Sequence, residues 1–289
     1  MRFGLYRAAA ATAGYIPERL GYRLFGWLGD LAWLFGRDAR RLITANLTQV
    51  AGANLDRRQL RRTSRLAFRN LLWGYYELFS QMPLHASDRA ARLTIHGMEQ
   101  ISHWGRDGPG AIFLFAHVGS LEAASQLLGS LDIGDVAVVV GEVGDERIQR
   151  LFDRQRSSAG RPMISPRYPR RLIDALQAGI SVALAGDLDS TQRGCVVEFF
   201  GKPARMPVGG VRLALRTGAQ LHIVHGWRTS QAEPWRHELC VHEPLGLNPH
   251  LSRKRTIEAG VRQVAKEVER IVAEHPEQWL AFRDIWIEA

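Results

Sequence analysis

Ala111-Ile112-Phe113-Leu114-Phe115-Ala116-His117-Val118-Gly119-Ser120-Leu121-Glu122 is a short apolar run that ends on a histidine and passes through Gly-Ser to a carboxylate. Its apolar stretch from Ala111 to Phe115 is long enough for an inner strand of a covered sheet, and Gly108-Pro109-Gly110 punctuates its start. A histidine at the carboxyl end of such a strand stands where open α/β sheets place their chemistry. On one continuous helix the five-residue offset to Glu122 would turn the two side chains about 140° apart. They meet only if His117 precedes the helix and Glu122 lies in its first turn, a geometry that Gly119 as a turn residue and Ser120 as an N-cap permit. A carboxylate beside an imidazole selects its tautomer and favours the protonated form.

Outward from this stretch, the chain alternates strands and helices. Strands are expected over Arg92 to His96, Ala111 to Phe115, Val136 to Val140, Ser181 to Ala185, Val196 to Phe200 as an edge-type strand, Leu221 to Val224 and Glu238 to Val241. Helices are expected over Ser120 to Leu128, Glu146 to Ser157, Leu172 to Gln177, Val208 to Arg216 and Arg253 to Glu274. The expected fold is therefore α/β, with a mixed, largely parallel central sheet flanked by helices. Before Gln81 the apolar spacing is helical throughout. The chain thus divides into an N-terminal helical region at 1–81, membrane-associating where its aromatic and basic helices lie in a bilayer interface, and one continuous α/β unit at 82–289.

Of 289 residues, 38 are Lys or Arg and 29 Asp or Glu, a formal charge of +9 that points to an anionic partner. Two cysteines cannot make a disulfide framework, which suits a reducing compartment. The N-terminus carries no signal-peptide pattern, and no run of eighteen uncharged apolar residues spells a transmembrane helix. The nearest is Leu24 to Phe35, rich in Trp and Phe, interrupted by Asp30 and followed by Arg37, Arg40 and Arg41. That composition suits either a helix lying in a bilayer interface or a core helix of a soluble protein. From Arg57 to Arg69 a second amphipathic helix carries six arginines; no nucleic-acid motif accompanies them, so nucleic acid is not the expected partner.

Two further clusters carry polar chemistry. Gly186-Asp187-Leu188-Asp189-Ser190 follows a buried strand, so its carboxylates should emerge at the same rim as His117, to accept a hydroxyl or to cap a turn. Phe199-Phe200-Gly201-Lys202-Pro203-Ala204-Arg205-Met206-Pro207-Val208-Gly209-Gly210 reads as a stiffened basic loop leading into the helix that holds Arg212 and Arg216, able to receive phosphate or carboxylate. Neither a P-loop, nor a dinucleotide fingerprint, nor Gly-x-Ser-x-Gly is present. His237, Cys240 and His242 have metal-like spacing, but strand alternation puts Cys240 and His242 on one face and His237 on the other, so no metal is expected there. His222 and His225 fall on opposite faces of their strand and read as structural.

His117-x4-Glu122, Arg156-x3-Gly160, a Gly-x-x-Val-x-Leu-x-x-Asp strand ending at Asp187, Phe199-Phe200-Gly201 with Pro203-Ala204-Arg205, and Gln278-Trp279 follow one another in this order. In that order they resemble the bacterial lipid A biosynthesis acyltransferase family, within the lysophospholipid acyltransferase superfamily. The run from Asp187 through Ala219 is especially similar to phosphatidylinositol-mannoside acyltransferases. The resemblance implies His117 as general base and Glu122 as the acid that orients it, with Arg156, Asp187, Arg205 and Arg212 binding substrate. The implied reaction moves a fatty acyl group from acyl-carrier protein or acyl-coenzyme A to a hydroxyl of a lipid or glycolipid, without cofactor or metal. Backbone N–H groups around Gly119 and Ser120, or Arg156 or Arg205, would meet the oxyanion. The implied location is the cytoplasmic face of the bacterial inner membrane, against an anionic surface. A carrier-bound acceptor of polyketide or aryl-polyene type, and a non-catalytic binder of anionic membranes, are the alternatives.

Overall fold

The computed structural model describes residues 2–52, 55–80, 92–100, 109–123, 135–141, 144–157, 162–189, 191–248, 250 and 252–287. Four helices come first: α1 (Arg2–Thr12), α2 (Glu18–Phe35), α3 (Arg37–Ala51) and α4 (Arg57–Ser80). Helices α2 and α4 pack closely because the contact face of α2 is small. A Cβ on Gly29 would stand 2.8 Å from the Cα of Arg69, so no larger residue fits there. Asp30 does not break the apolar face of α2, as its sequence position suggests. It turns toward α4, where Arg65 and Arg69 each grip it with two hydrogen bonds of 2.6–2.7 Å. Burial opposes its ionisation, but the two guanidinium groups win and pull its pKa down to about 2.

The sheet is built from β1 (Leu93–His96), β2 (Ile112–Phe115), β3 (Val136–Val139), β4 (Met163–Ile164), β5 (Ser181–Ala185), β8 (Leu221–Arg228) and β9 (His237–Pro244). Its order is β1-β9-β8-β2-β5-β3-β4, with β8–β9 antiparallel and every other neighbouring pair parallel. This is the mixed, largely parallel sheet expected. Helices α5 (Glu146–Ser157), α6 (Pro169–Gln177), α7 (Gly209–Thr217) and α8 (Arg253–Glu274) complete the alternation. The alternate residues of β2 face different cores: Ile112 and Leu114 join Val264, Val268 and Ile271 of α8, whereas Phe113 joins Val136, Ala183 and Val224. Coverage on both faces explains why β2 is continuously apolar.

Two expectations are revised, and one strand is added. The basic loop at Phe199–Arg205 is a hairpin, with β6 (Cys195–Phe199) antiparallel to β7 (Lys202–Met206) as a separate two-stranded sheet. Its turn, Phe200 and Gly201, has φ of 47° and 74°, the left-handed pair of a type I′ turn. Phe-Gly lacks the Asn-Gly signature of such turns, and two prolines disguise β7 as a loop. Strands β8 and β9 are each eight residues long, twice what the apolar runs suggest, because histidines and a tryptophan continue the alternation. Finally, β4 is a two-residue strand with no sequence signal. Of the helix expected over Ser120 to Leu128, only the first turn at 121–123 lies within the described residues. Gly108, Gly160, Ser190 and the boundary at 81–82 lie wholly or partly outside them.

Candidate active site

Strand β2 lies between β8 and β5, and the register pairs Phe115 with Ala185. Two residues beyond each come His117 and Asp187, so the parallel pairing alone delivers both to one rim. There the imidazole Nδ1 donates to Asp187 Oδ1 at 2.7 Å, while the backbone N–H of His117 donates to Asp187 Oδ2 at 2.9 Å. Trp279 Nε1 donates to the same Oδ2 at 3.1 Å. Asp187 is buried and the His117 side chain is 31% exposed, which leaves the base reachable and its partner dry. A carboxylate accepts only, so Nδ1 carries the proton and Nε2 is the basic nitrogen. Among the described residues no hydrogen bond engages Nε2.

Burial is the strongest single influence on the imidazole and disfavours its charge. The charge and hydrogen bond of Asp187 outweigh burial, Arg283 opposing, so the pKa of His117 rises above its ordinary value of 6.5. For Asp187, burial pushes upward, but the charge and hydrogen bonds of His117 and the indole of Trp279 hold its pKa below the ordinary carboxylate value.

The loop that carries His117 is fixed from both sides. Gly119 has φ of 67°, and a Cβ there would stand 2.2 Å from the carbonyl oxygen of Gly226, so only glycine passes. Its N–H donates to the Gln278 carbonyl at 3.0 Å, and the Leu280 N–H donates to the His117 carbonyl at 2.7 Å. The Gln278 side chain closes onto Arg228, accepting from its N–H at 2.8 Å and donating to its carbonyl at 3.0 Å. Ser120 caps the following helix as expected, its Oγ accepting from the Ala123 N–H at 3.0 Å, and it donates to buried Glu77.

The expected pairing of His117 with Glu122 is not formed. Glu122 instead receives Arg156 of α5, with Nη2–Oε1 at 2.5 Å and Nε–Oε1 at 3.1 Å. The reason is geometric: the backbone of His117 is itself bound to Asp187, which turns the ring toward β5, and Glu122 meets the nearer guanidinium. Arg156, expected on substrate, is thus engaged by Glu122. Asp187, also expected on substrate, is the buried partner of His117. Arg205 is half-buried on β7, and its charge helps to hold Asp189 ionised; Arg212 is exposed on α7. None of the described interactions joins either to His117. Gly119, one of the proposed oxyanion donors, already spends its N–H on Gln278.

Sequence reasoning missed Trp279 as a hydrogen-bond donor to Asp187 and Arg283 as a cation whose charge acts on His117. Gln278-Trp279 was visible as a signpost, but its function needed the strand ends to be closed in space.

Over 186 residues, 62% of this chain and 58% of the relative, the chain is 27% identical to the phosphatidylinositol mannoside acyltransferase of Mycolicibacterium smegmatis. It is also 27% identical over 199 residues to that of Mycobacterium tuberculosis, covering 67% of this chain and 60% of the relative. The matches therefore span less than two thirds of these relatives' length. The crystal structure of the 1-acyl-sn-glycerophosphate (LPA) acyltransferase PlsC from Thermotoga maritima aligns over 94% of this chain and 99% of its own, at 14% identity and a TM-score of 0.38. The model of the bacterial lipid A biosynthesis acyltransferase family matches residues 3–287, nearly the whole chain, and the chain belongs to that family.

Proposed function

We propose that this chain is a peripheral membrane O-acyltransferase that moves a fatty acyl group from a thioester to a hydroxyl of a lipid or glycolipid acceptor. The observation that carries the reading is the His117–Asp187 pair at the rim, a partly exposed imidazole backed by a buried carboxylate. Nε2 takes the acceptor's hydroxyl proton as its oxygen attacks the thioester carbonyl carbon. The tetrahedral intermediate collapses with cleavage of the C–S bond, and the imidazolium returns the proton to the leaving thiolate, giving ester and free thiol. Asp187 holds the tautomer and balances the charge that forms. Glu122 acts through Arg156, fixing the guanidinium at the edge of the site, and Arg283 offers a cation to the oxyanion or to a phosphate.

The membrane mode is supported by α2. Leu20, Leu24, Trp27, Leu31, Leu34 and Phe35 form an exposed apolar stripe along it, with Trp27 68% and Phe35 75% exposed. No described helix is long and apolar enough to cross a membrane, so α2 would lie in the interface of an anionic bilayer, such as the cytoplasmic face of the inner membrane. Relatives named phosphatidylinositol mannoside acyltransferases favour a glycolipid acceptor. The charge of +9 suits either donor, an acidic acyl-carrier protein or acyl-coenzyme A.

The test is mass spectrometry of products after the purified protein meets membrane lipid and each donor in turn. An acylated lipid should appear, and His117→Ala should lower turnover about a hundred- to ten-thousand-fold with an unchanged far-ultraviolet circular dichroism spectrum. Near-normal turnover in the folded variant overturns the mechanism.

A further inference from the structure

The metal-like spacing of His237, Cys240 and His242 fails in the way that strand alternation requires. His237 points to the other face of β9, where it is buried beside Glu77 and Arg228. Its place is taken from the neighbouring strand. In the antiparallel β8–β9 register His225 lies directly across from Cys240, and His242, two residues on, shares their face. One donor atom from each of the three residues falls within 4.8 Å of the other two. Nε2 of His242 and Nδ1 of His225 are 3.0 Å apart, with the rings stacked at 5.1 Å.

The surroundings suit a cation with nitrogen and sulfur ligands. His225 is buried, whereas Cys240 and His242 are half-buried, so the group is reachable from solvent. Trp227 stacks on His225 at 5.1 Å and His275 on Trp227 at 5.1 Å, walling one side. Burial foremost, then the neighbouring His242, Arg270, His275 and His96, push the pKa of His225 down to about 3. Burial and Arg270 lower that of His242. Ligation needs both rings uncharged and the Cys240 thiol deprotonated. Arg270 Nη2 lies 3.4 Å from His242 Nε2, but Glu267 at 3.3 Å and Glu274 at 2.9 Å hold that guanidinium and leave the trio net negative.

We propose that His225, Cys240 and His242 bind one borderline-soft divalent ion of the Zn²⁺ class, with a fourth position open to water. Two imidazoles and a thiolate are a zinc-type donor set, and tetrahedral coordination needs four ligands. On binding, the Cys240 thiol releases its proton to solvent. The proton shared by the two rings moves to the other nitrogen of its ring, so the histidines stay neutral. The ion clasps β8 to β9 next to Gly226, against which Gly119 of the catalytic loop is packed. It has no part in the acyl transfer itself.

Co²⁺, titrated into the purified, tag-free full-length chain, tests this. One equivalent should bind and give a thiolate-to-Co²⁺ charge-transfer band in the near ultraviolet together with visible bands of tetrahedral intensity; Zn²⁺ should abolish both. Cys240→Ser should lose the charge-transfer band, His242→Ala should weaken Co²⁺ binding at least about tenfold, and Cys195→Ser should change neither. If Cys240→Ser does not fold, the wild-type chain still decides, because bound Zn²⁺ should slow alkylation of Cys240 and leave Cys195 reactive. The absence of a thiolate band, a band that survives Cys240→Ser, or Zn²⁺-insensitive alkylation overturns the proposal.

Discussion

At His117 the contest between burial and Asp187 sets the pH at which the imidazole becomes a base. Its pKa is raised, so the acidic limb of kcat/KM should fall above 6.5, the ordinary histidine value, because only the neutral ring accepts a proton. Asp187→Asn removes the charge that raises this pKa while keeping a polar side chain in place; the limb should move to lower pH and kcat should fall. Glu122→Gln should leave the limb where it is, because the Glu122 carboxylate belongs to Arg156. A limb that shifts with Glu122→Gln and not with Asp187→Asn reverses the two roles. The same pair is also a stability element. The raised histidine pKa gives stabilisation that is complete below about 6.5 and lost as pH climbs through the folded-state value. The depressed Asp187 pKa gives stabilisation present above about 3.9 and lost on acidification. Of this dyad the sequence displays both members and their common rim. It hides their contact, because a parallel register separates the partners by 70 residues and the nearer carboxylate, Glu122, is the more conspicuous.

Between elements, the decisive junction is Glu77 of α4 with Arg228 of β8. Their two hydrogen bonds, 2.5 and 2.9 Å, are fully buried, and Tyr22 of α2 donates to Glu77 at 2.7 Å. Ser120, three residues after the base, donates to the same carboxylate. One carboxylate thus connects two N-terminal helices to the loop that carries His117. Glu77→Ala leaves a buried guanidinium unpaired and should cost about 3–5 kcal/mol in chemical denaturation. The double variant Glu77→Leu with Arg228→Met should recover much of that loss, since an apolar pair of similar volume needs no charge compensation. A double variant as unstable as the single one would show that the junction depends on the charges themselves. Glu77 and Arg228 sit in an amphipathic helix and a strand whose patterns look ordinary. The pairing is illegible because a buried charge betrays itself only through its partner.

For the whole molecule the question is how a positively charged chain would meet the proposed lipid acceptor. Helix α2 is apolar on two sides: Tyr22 and Phe25 face the protein, and the stripe through Trp27, Leu31 and Phe35 faces out. Replacing Trp27, Leu31 and Phe35 together by Glu should abolish sedimentation with vesicles containing anionic lipid, leaving the far-ultraviolet circular dichroism spectrum unchanged. Turnover on a water-dispersed acceptor should survive. Undiminished vesicle binding by the triple variant would move the contact surface elsewhere. Exposed arginines at the start of α4, Arg57, Arg58, Arg61 and Arg62, would supply the salt-sensitive part of the proposed attraction.

The local code alone determined the α/β alternation, the inner position of β2, the N-cap at Ser120 and the placing of His117 at a strand end. These follow from apolar periodicity and turn chemistry, which act over a few residues. Tertiary structure decided which carboxylate serves the imidazole, that the basic loop is a hairpin, that Trp279 reaches Asp187 and that His225 joins Cys240. Each of these depends on strand order and register. Register is set by the packing of many side chains at once, so it has no signature in any single stretch of the chain.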